Sequence, residues 1–305
     1  GGRRWRSRHR GQPTISEMTA ESTPRVRLDA IVQDPSDERV ASFMGLRDRD
    51  LRLRARATAA SDDPQEAVFV AEGDPVVERA VRAGYRLITL LVDATRSQPL
   101  PEPIAEAVVE GGGEVLGAGP QVLERITGLG VHRGCLGVFA RRDLPSAEQV
   151  VGGARRLLVL ERVVNPINLG VIVRSAVGLG LDAMVLDEAS VDPLYRRASR
   201  VAMGEVFDFP YARVRRFPEG LDMVHAAGFV TCALTPAPDA VPIDSLRFGA
   251  EEKVALLLGS EGPGLSDATM SACDHRVVIP LSGRVDSLNV GAAAAIACYA
   301  ITRKC

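Results

Sequence analysis

Three polar blocks in the second half of the chain hold residue types that can bind and orient a reacting group. They are Asn165-Pro166-Ile167-Asn168-Leu169-Gly170 with Arg174 four positions on, Leu258-Gly259-Ser260-Glu261-Gly262-Pro263-Gly264-Leu265-Ser266, and Ile279-Pro280-Leu281-Ser282-Gly283 running into Ser287-Leu288-Asn289-Val290. Each follows an apolar run that reads as a buried strand. Polar side chains and flexible glycine backbone would then emerge at the carboxyl ends of strands, where open α/β sheets form their ligand crevices. A carboxylate (Glu261), a guanidinium (Arg174), a hydroxyl (Ser287) and two amides (Asn168 and Asn289) would converge there.

Taken singly, most of these residues have plainer explanations. An asparagine at the start of a helix, as Asn168 would be, caps orphan backbone donors, and Ser287 ahead of an alanine-rich helix does the same. Arg174 sits among Val171, Ile172, Val173, Ala176 and Val177, so it is expected to enter a largely buried helix, and arginine is rarely buried without a partner. A ligand phosphate or a reacting hydroxyl is one such partner; Glu161 or Asp187 is the structural alternative. The glycines around Glu261 would let backbone approach a ligand. Their order is not the dinucleotide fingerprint, and a plain turn would explain them in isolation.

The elements that must position these blocks alternate in the α/β manner. A strand at 68–70, a helix at 74–83 and a strand at 87–92 are continued by 103–110, 115–116, 121–126 and 135–140. Asp143-Leu144-Pro145-Ser146 reads as a linker. Beyond it the pattern predicts strands at 157–160, 183–186, 206–209, 230–234, 254–258 and 276–279, and helices at 169–179, near Tyr195, at 220–227 and at 287–301. Alternation of this kind argues for a mostly parallel sheet with helices on both faces. The reading divides the chain into a disordered tail over 1–24, a small α/β domain over 25–142 and a larger α/β domain over 155–305. A charged, exposed helix is expected around 45–52.

Composition frames the setting. A net charge of −2 gives no global pull toward nucleic acid, yet 37 residues are basic and only Lys253 and Lys304 among them are lysines. Arginine grips phosphate through a planar fork, so RNA stays open as a partner; a GC-rich genome would give the same bias. The 5 cysteines, Cys135, Cys232, Cys273, Cys298 and Cys305, are scattered and lack metal or redox spacing. No metal site is expected. The apolar stretch at 291–301 is too short to span a bilayer, and no apolar core follows the basic N-terminus, so a soluble cytoplasmic protein is expected.

Together the three blocks resemble the three motifs of the SpoU (TrmH) branch of the SPOUT RNA methyltransferases, over about residues 155–303 in the right order and spacing. Arg200-Val201-Ala202-Met203-Gly204 with Phe209-Pro210 resembles the segment between the first two motifs. Phe69-Val70-Ala71-Glu72-Gly73 followed by Val76 and Val77 is similar to the small RNA substrate-binding domain that many members carry. The resemblance implies a SPOUT domain with a deep trefoil knot, a homodimer, and transfer of a methyl group from S-adenosylmethionine to a ribose 2′-hydroxyl of RNA, with rRNA first and tRNA second. It implies a catalytic set of Asn168, Arg174, Glu261, Ser287 and Asn289. Backbone around Leu234, Gly259, Ile279, Leu281 and Leu288 would hold the methyl donor. Ser260 and Ala202 depart from the family's common asparagine and serine.

Two rival readings follow from the residues. Glu114-Val115-Leu116-Gly117-Ala118-Gly119-Pro120 imitates the donor loop of a Rossmann-type methyltransferase, although 68–140 is too small for that sheet. A catalytically silent RNA-binding or assembly factor with the same fold is the other, and the intact polar set argues against it.

Overall fold

The computed structural model describes residues 27–44, 68–127 and 134–303. The tail expected over 1–24 and the charged helix expected around 45–52 lie outside the described residues.

The first sheet contains β1 (Ala30–Val32), β2 (Val68–Glu72), β3 (Leu87–Asp93), β4 (Glu114–Ala118) and β5 (Leu136–Ala140). Its order is β1-β4-β3-β5-β2. The β1·β4 and β4·β3 pairs are parallel, and β3·β5 and β5·β2 are antiparallel. Connecting helices are α1 (Asp74–Arg82), α2 (Glu102–Gly111) and α3 (Pro120–Thr127). β1 is an addition to the sequence reading, since 3 residues carry too short an alternation to register. Its neighbours account for the glycines of the imitation donor loop. A Cβ at Gly117 would lie 2.7 Å from Leu28 Cδ1, and one at Gly119 would lie 2.2 Å from Gln33 Oε1. Gly119 N–H also donates to Val32 O at 3.0 Å. These glycines let two backbones meet, a packing role.

The second sheet contains β6 (Arg156–Leu160), β7 (Ala183–Asp187), β8 (Tyr211–Val214), β9 (Phe229–Leu234), β10 (Val241–Pro242), β11 (Lys253–Leu258) and β12 (His275–Val278). All pairs are parallel, in the order β10-β12-β9-β11-β6-β7-β8. The accompanying helices are α4 (Ala147–Gly153), α5 (Pro166–Gly178), α6 (Arg196–Val201), α7 (Asp222–Ala226), α8 (Asp267–Ala272) and α9 (Val290–Thr302). The central strands are apolar throughout because both faces are covered. Leu158 and Leu160 share a core with Leu169 and Ile172 of α5 and Ala294 and Cys298 of α9, whereas Leu157 and Val159 pack with Val150 of α4 and Val224 of α7.

In the second sheet's half of the chain one expected strand is replaced, and α4, α8 and β10 are additions to the sequence reading. The strand expected at 206–209 is a 3-10 turn, Glu205–Phe207, and the strand begins at Tyr211. Gly204, with φ 83°, ends the preceding helix, and Val206, Phe207 and Phe209 bury their side chains from a curled backbone rather than an extended one. The linker expected at 143–146 is irregular, and helix α4, one of these additions, starts directly after it with the reciprocal capping box of Ser146 and Gln149. Among the described residues no helix is long and apolar enough to cross a membrane.

Candidate active site

The first block leaves β6 and enters α5 through a turn held on both sides. Arg162, with φ 53°, donates its N–H to both Asp187 carboxylate oxygens, at 3.0 and 3.1 Å. Val163 N–H donates to Ser190 Oγ at 3.0 Å, and that hydroxyl donates to Asp187 Oδ1 at 2.6 Å. Asn165 caps α5 by accepting from Ile167 N–H at 2.9 Å, with Pro166 in the first turn. Asn168 is therefore not the cap, contrary to the simplest sequence expectation. It is the third residue of α5, 6% exposed, and its side chain serves another purpose.

That purpose is a contact with the other two blocks. Asn289 Nδ2 donates to Asn168 Oδ1 at 3.3 Å and to Glu261 Oε1 at 2.8 Å. Asn289 Oδ1 accepts from Gly291 N–H at 2.9 Å and so caps α9. One amide thus joins all three blocks and fixes a helix start. The close approach of α9 to α5 that this requires depends on Gly291, where a Cβ would lie 2.6 Å from Val171 Cγ1.

Glu261 rides on a loop that folds back on itself. Gly264 N–H donates to Ser260 O at 3.1 Å, and Gly262 and Gly264 take φ of 84° and 70°. A Cβ at Gly259 would sit 2.1 Å from the carbonyl carbon of Gly264, so only glycine fits there. Glu261 is exposed, and apart from Asn289 its carboxylate has no hydrogen-bond partner among the described residues.

The positions expected to hold a methyl donor cluster at one end of the sheet. Leu234 ends β9, Gly259 follows β11 and Ile279 follows β12, three neighbouring parallel strands. Leu281 and Leu288 flank an irregular, exposed segment that leads into α9, and Leu281 is 38% exposed.

The SpoU rRNA methylase family model matches residues 155–299. An uncharacterized tRNA/rRNA methyltransferase of Mycobacterium tuberculosis is 39% identical over 274 residues, 89% of this chain and 91% of the relative. The chain belongs to the SpoU rRNA methylase family. A 23S rRNA (guanosine-2'-O-)-methyltransferase, RlmB of Acinetobacter baylyi, is 31% identical over 226 residues, covering 72% of this chain and 90% of the relative. Among solved structures, an AdoMet-bound rRNA methyltransferase of Sinorhizobium meliloti superposes with a TM-score of 0.73 at 26% identity, covering 88% of this chain and 96% of that one.

Within this SpoU chain, two of the five candidate catalytic residues stand apart from the hydrogen-bonded cluster. Ser287 is exposed and lies outside α9, which begins at Val290. The helix start expected at Ser287 is displaced because Asn289, not Ser287, is the cap. Arg174 is exposed, correcting the expectation of a buried arginine. It falls on the stripe Ile167, Val171, Arg174, Gly178, opposite the buried Leu169, Ile172, Val173 and Ala176. Its proposed structural partners are occupied elsewhere: Asp187 binds Arg162 and Ser190, and Glu161 accepts from Ser266 and Thr269. Of the two departures from the SpoU pattern, Ser260 supplies a backbone carbonyl to its own loop and Ala202 is buried. The sequence reading missed Asn165 as the cap, although Asn-Pro ahead of an apolar run is the signal that marks it.

Proposed function

We propose that the crevice bordered by Asn168, Glu261 and Asn289 transfers a methyl group from S-adenosylmethionine to a ribose 2′-hydroxyl of RNA, with rRNA as the substrate class. The observation that carries this reading is the pair of hydrogen bonds by which Asn289 draws Glu261 and Asn168 together beside the carboxyl ends of β9, β11 and β12. The residues present fit the donor. Leu234, Ile279, Leu281 and Leu288 offer partly exposed apolar surface, and the irregular 281–288 segment and the glycine loop offer peptide groups outside any strand ladder. Bound there, S-adenosylmethionine would supply a methyl group already activated on a sulfonium.

The protein's share of the work is then alignment and charge management. Asn168, Glu261 and Ser287 orient the ribose hydroxyl, and Asn289 keeps Glu261 in place. Arg174 stabilises the alkoxide that develops as the hydroxyl proton passes to water, and a neighbouring RNA phosphate, electrostatically, a role that needs no deprotonation of a group as basic as guanidinium. Relatives named as rRNA methyltransferases favour rRNA, and a cytoplasmic location follows from that substrate. Labelled methyl supplied to unmodified rRNA and tRNA pools, followed by digestion to nucleosides, tests the proposal. A labelled 2′-O-methylnucleoside from rRNA is expected; label in tRNA alone moves the substrate class, and label on a base overturns the ribose assignment.

A trefoil knot and a homodimer belong to the same reading. After β11 the chain passes β9, pairs with its far side as β12, and returns to pack α9 on α5, a doubled-back path that favours a knot. On the outside of that helix pair, Ala292, Ile296 and Tyr299 of α9 are exposed in a stripe beside Ile167 and Val171 of α5. A second copy would cover this face and enclose Arg174. Sedimentation is expected to give twice the 32.5 kDa chain mass, and Ile296→Asp to give the single chain. A single-chain species without the substitution would remove the dimer.

A further inference from the structure

Glu161 is a buried carboxylate, 5% exposed, that stands one residue beyond β6 and outside the set assigned to the reaction. Its N–H donates to Leu258 O at 3.0 Å, which ties the turn to the last residue of β11. Its side chain reaches past the glycine loop. Oε2 accepts the N–H of Ser266 at 2.9 Å, and Oε1 accepts the hydroxyl of Thr269 at 3.1 Å. Ser266 caps α8 through Thr269 N–H at 3.2 Å, and it is the residue on which the Glu261 loop closes. Glu161 therefore grips both ends of the loop: the entry through Leu258 and the exit through Ser266.

The loop needs such a grip. With Gly259, Gly262 and Gly264 in a seven-residue span, its backbone has more freedom to lose than any ordinary turn. Among the described residues, the loop is otherwise held by the Gly264 to Ser260 backbone bond within it and by the contact of Asn289 with Glu261 from outside. We infer that Glu161 is a positioning residue for methyl transfer, acting through the loop to set the pose of Glu261. This rests on the proposed role of Glu261. A carboxylate suits the task because it accepts two donors at a fixed separation without competing as a donor itself.

The competing explanation is that Glu161 only stabilises the fold, and a double-mutant cycle separates the two. Turnover is measured at saturating donor and RNA, per folded protein as judged by circular dichroism, for Glu161→Ala, Glu261→Ala and the pair. Misplacement of a reacting group by a fraction of an ångström is expected to lower kcat about 10-fold in Glu161→Ala, with KM for RNA within about 2-fold of the unsubstituted chain. In the Glu261→Ala background the same change is expected to cost less than about 2-fold, because the group it positions is gone. Glu161→Gln should recover most of the activity: its amide oxygen can take the Ser266 N–H, and its nitrogen can donate to Thr269 Oγ1.

An equal loss in both backgrounds, or no loss in Glu161→Ala, overturns the inference while leaving Glu261 in place. If Glu261→Ala alone leaves kcat unchanged, the site assignment falls and this inference falls with it. Should Glu161→Ala fail to fold, Thr269→Val removes one of the two contacts with little change in volume. It is expected to lower kcat about 3-fold with the same non-additivity toward Glu261, and simple multiplication of effects would again overturn the inference.

Discussion

The amide of Asn289 has both of its ends committed: the oxygen caps α9 through Gly291 N–H, while the nitrogen donates to Glu261 and Asn168. Substitution by aspartate divides these roles. An aspartate oxygen caps a helix as well as asparagine does, so the stability of Asn289→Asp is expected to stay within about 1 kcal/mol. The donor, however, becomes a second carboxylate facing Glu261, and like charges at 2.8 Å push the pair apart. Turnover should fall by about 100-fold, the scale of a misplaced reacting group. Methyl transfer and thermal unfolding measured on the same preparation check both halves. Activity that survives with the fold would release Asn289 from the site and leave it a cap alone.

At the scale of helices, what brings the blocks together is how closely α9 and α6 approach α5. A Cβ at Gly291 would press on Val171 Cγ1 at 2.6 Å, and one at Gly170 would meet Ala198 O at 2.6 Å. A branched side chain and a carbonyl oxygen have little room to yield. Gly291→Ala is therefore expected to cost about 1–3 kcal/mol in urea unfolding and to reduce activity by displacing Asn289. Gly178→Ala is the control: nothing lies within 4 Å of its added carbon, and the change should be neutral or stabilising by up to about 1 kcal/mol. Strands β6 and β11 were legible in the sequence because runs such as Leu157-Leu158-Val159-Leu160 are buried on both faces. Glu261, Asn168 and Asn289 were legible as chemistry-bearing types, but that one amide links them depends on how α9 packs on α5, which spacing in the sequence does not specify. Arg174 was misread because its apolar neighbours are apolar on two sides of α5, one facing the core and one facing outward as Ile167 and Val171 do. The 206–209 segment was misread for a related reason: burial of Val206, Phe207 and Phe209 mimics a strand when the backbone that delivers them is curled.

Over the whole molecule, burial sets a limit on alkaline stability and welds the two sheets. The Cys232 and Cys298 thiols are each pushed up to about 12 from an ordinary 9.0, chiefly by burial. Below pH 9 both folded and unfolded chains keep these thiols neutral. As pH rises above 9.0 the unfolded thiols ionise first, so the stability is lost progressively until about 12, by at most about 1.4 kcal/mol per pH unit for each group. Urea midpoints taken between pH 7 and 10.5 should fall, and should fall less steeply in a Cys232→Ala/Cys298→Ala variant; equal slopes would dismiss the thiols as the cause. The weld between the sheets is aromatic and ionic. The ring of Phe207, from the segment before β8, lies tilted 5.3 Å from that of Phe69 and edge-on 5.8 Å from Tyr85, and Phe69 stacks on Phe139 at 5.4 Å. Beside them the buried Glu72 of β2 binds Arg196 at 3.2 Å and Arg200 at 2.5 Å, both on α6. A single apolar core runs from Phe69 and Leu90 on one sheet to Leu158 and Leu256 on the other, so the two should unfold together. Calorimetry is expected to show one transition. Phe207→Ala removes the ring that bridges the sheets, costs about 3–5 kcal/mol as a large-to-small core change, and should resolve two transitions by uncoupling them. Two transitions in the unsubstituted chain would mean that the contact is too weak to hold the first sheet at a fixed distance from the methyl-transfer crevice. A substrate gripped by that sheet would then reach the crevice on a flexible tether rather than from a rigid platform.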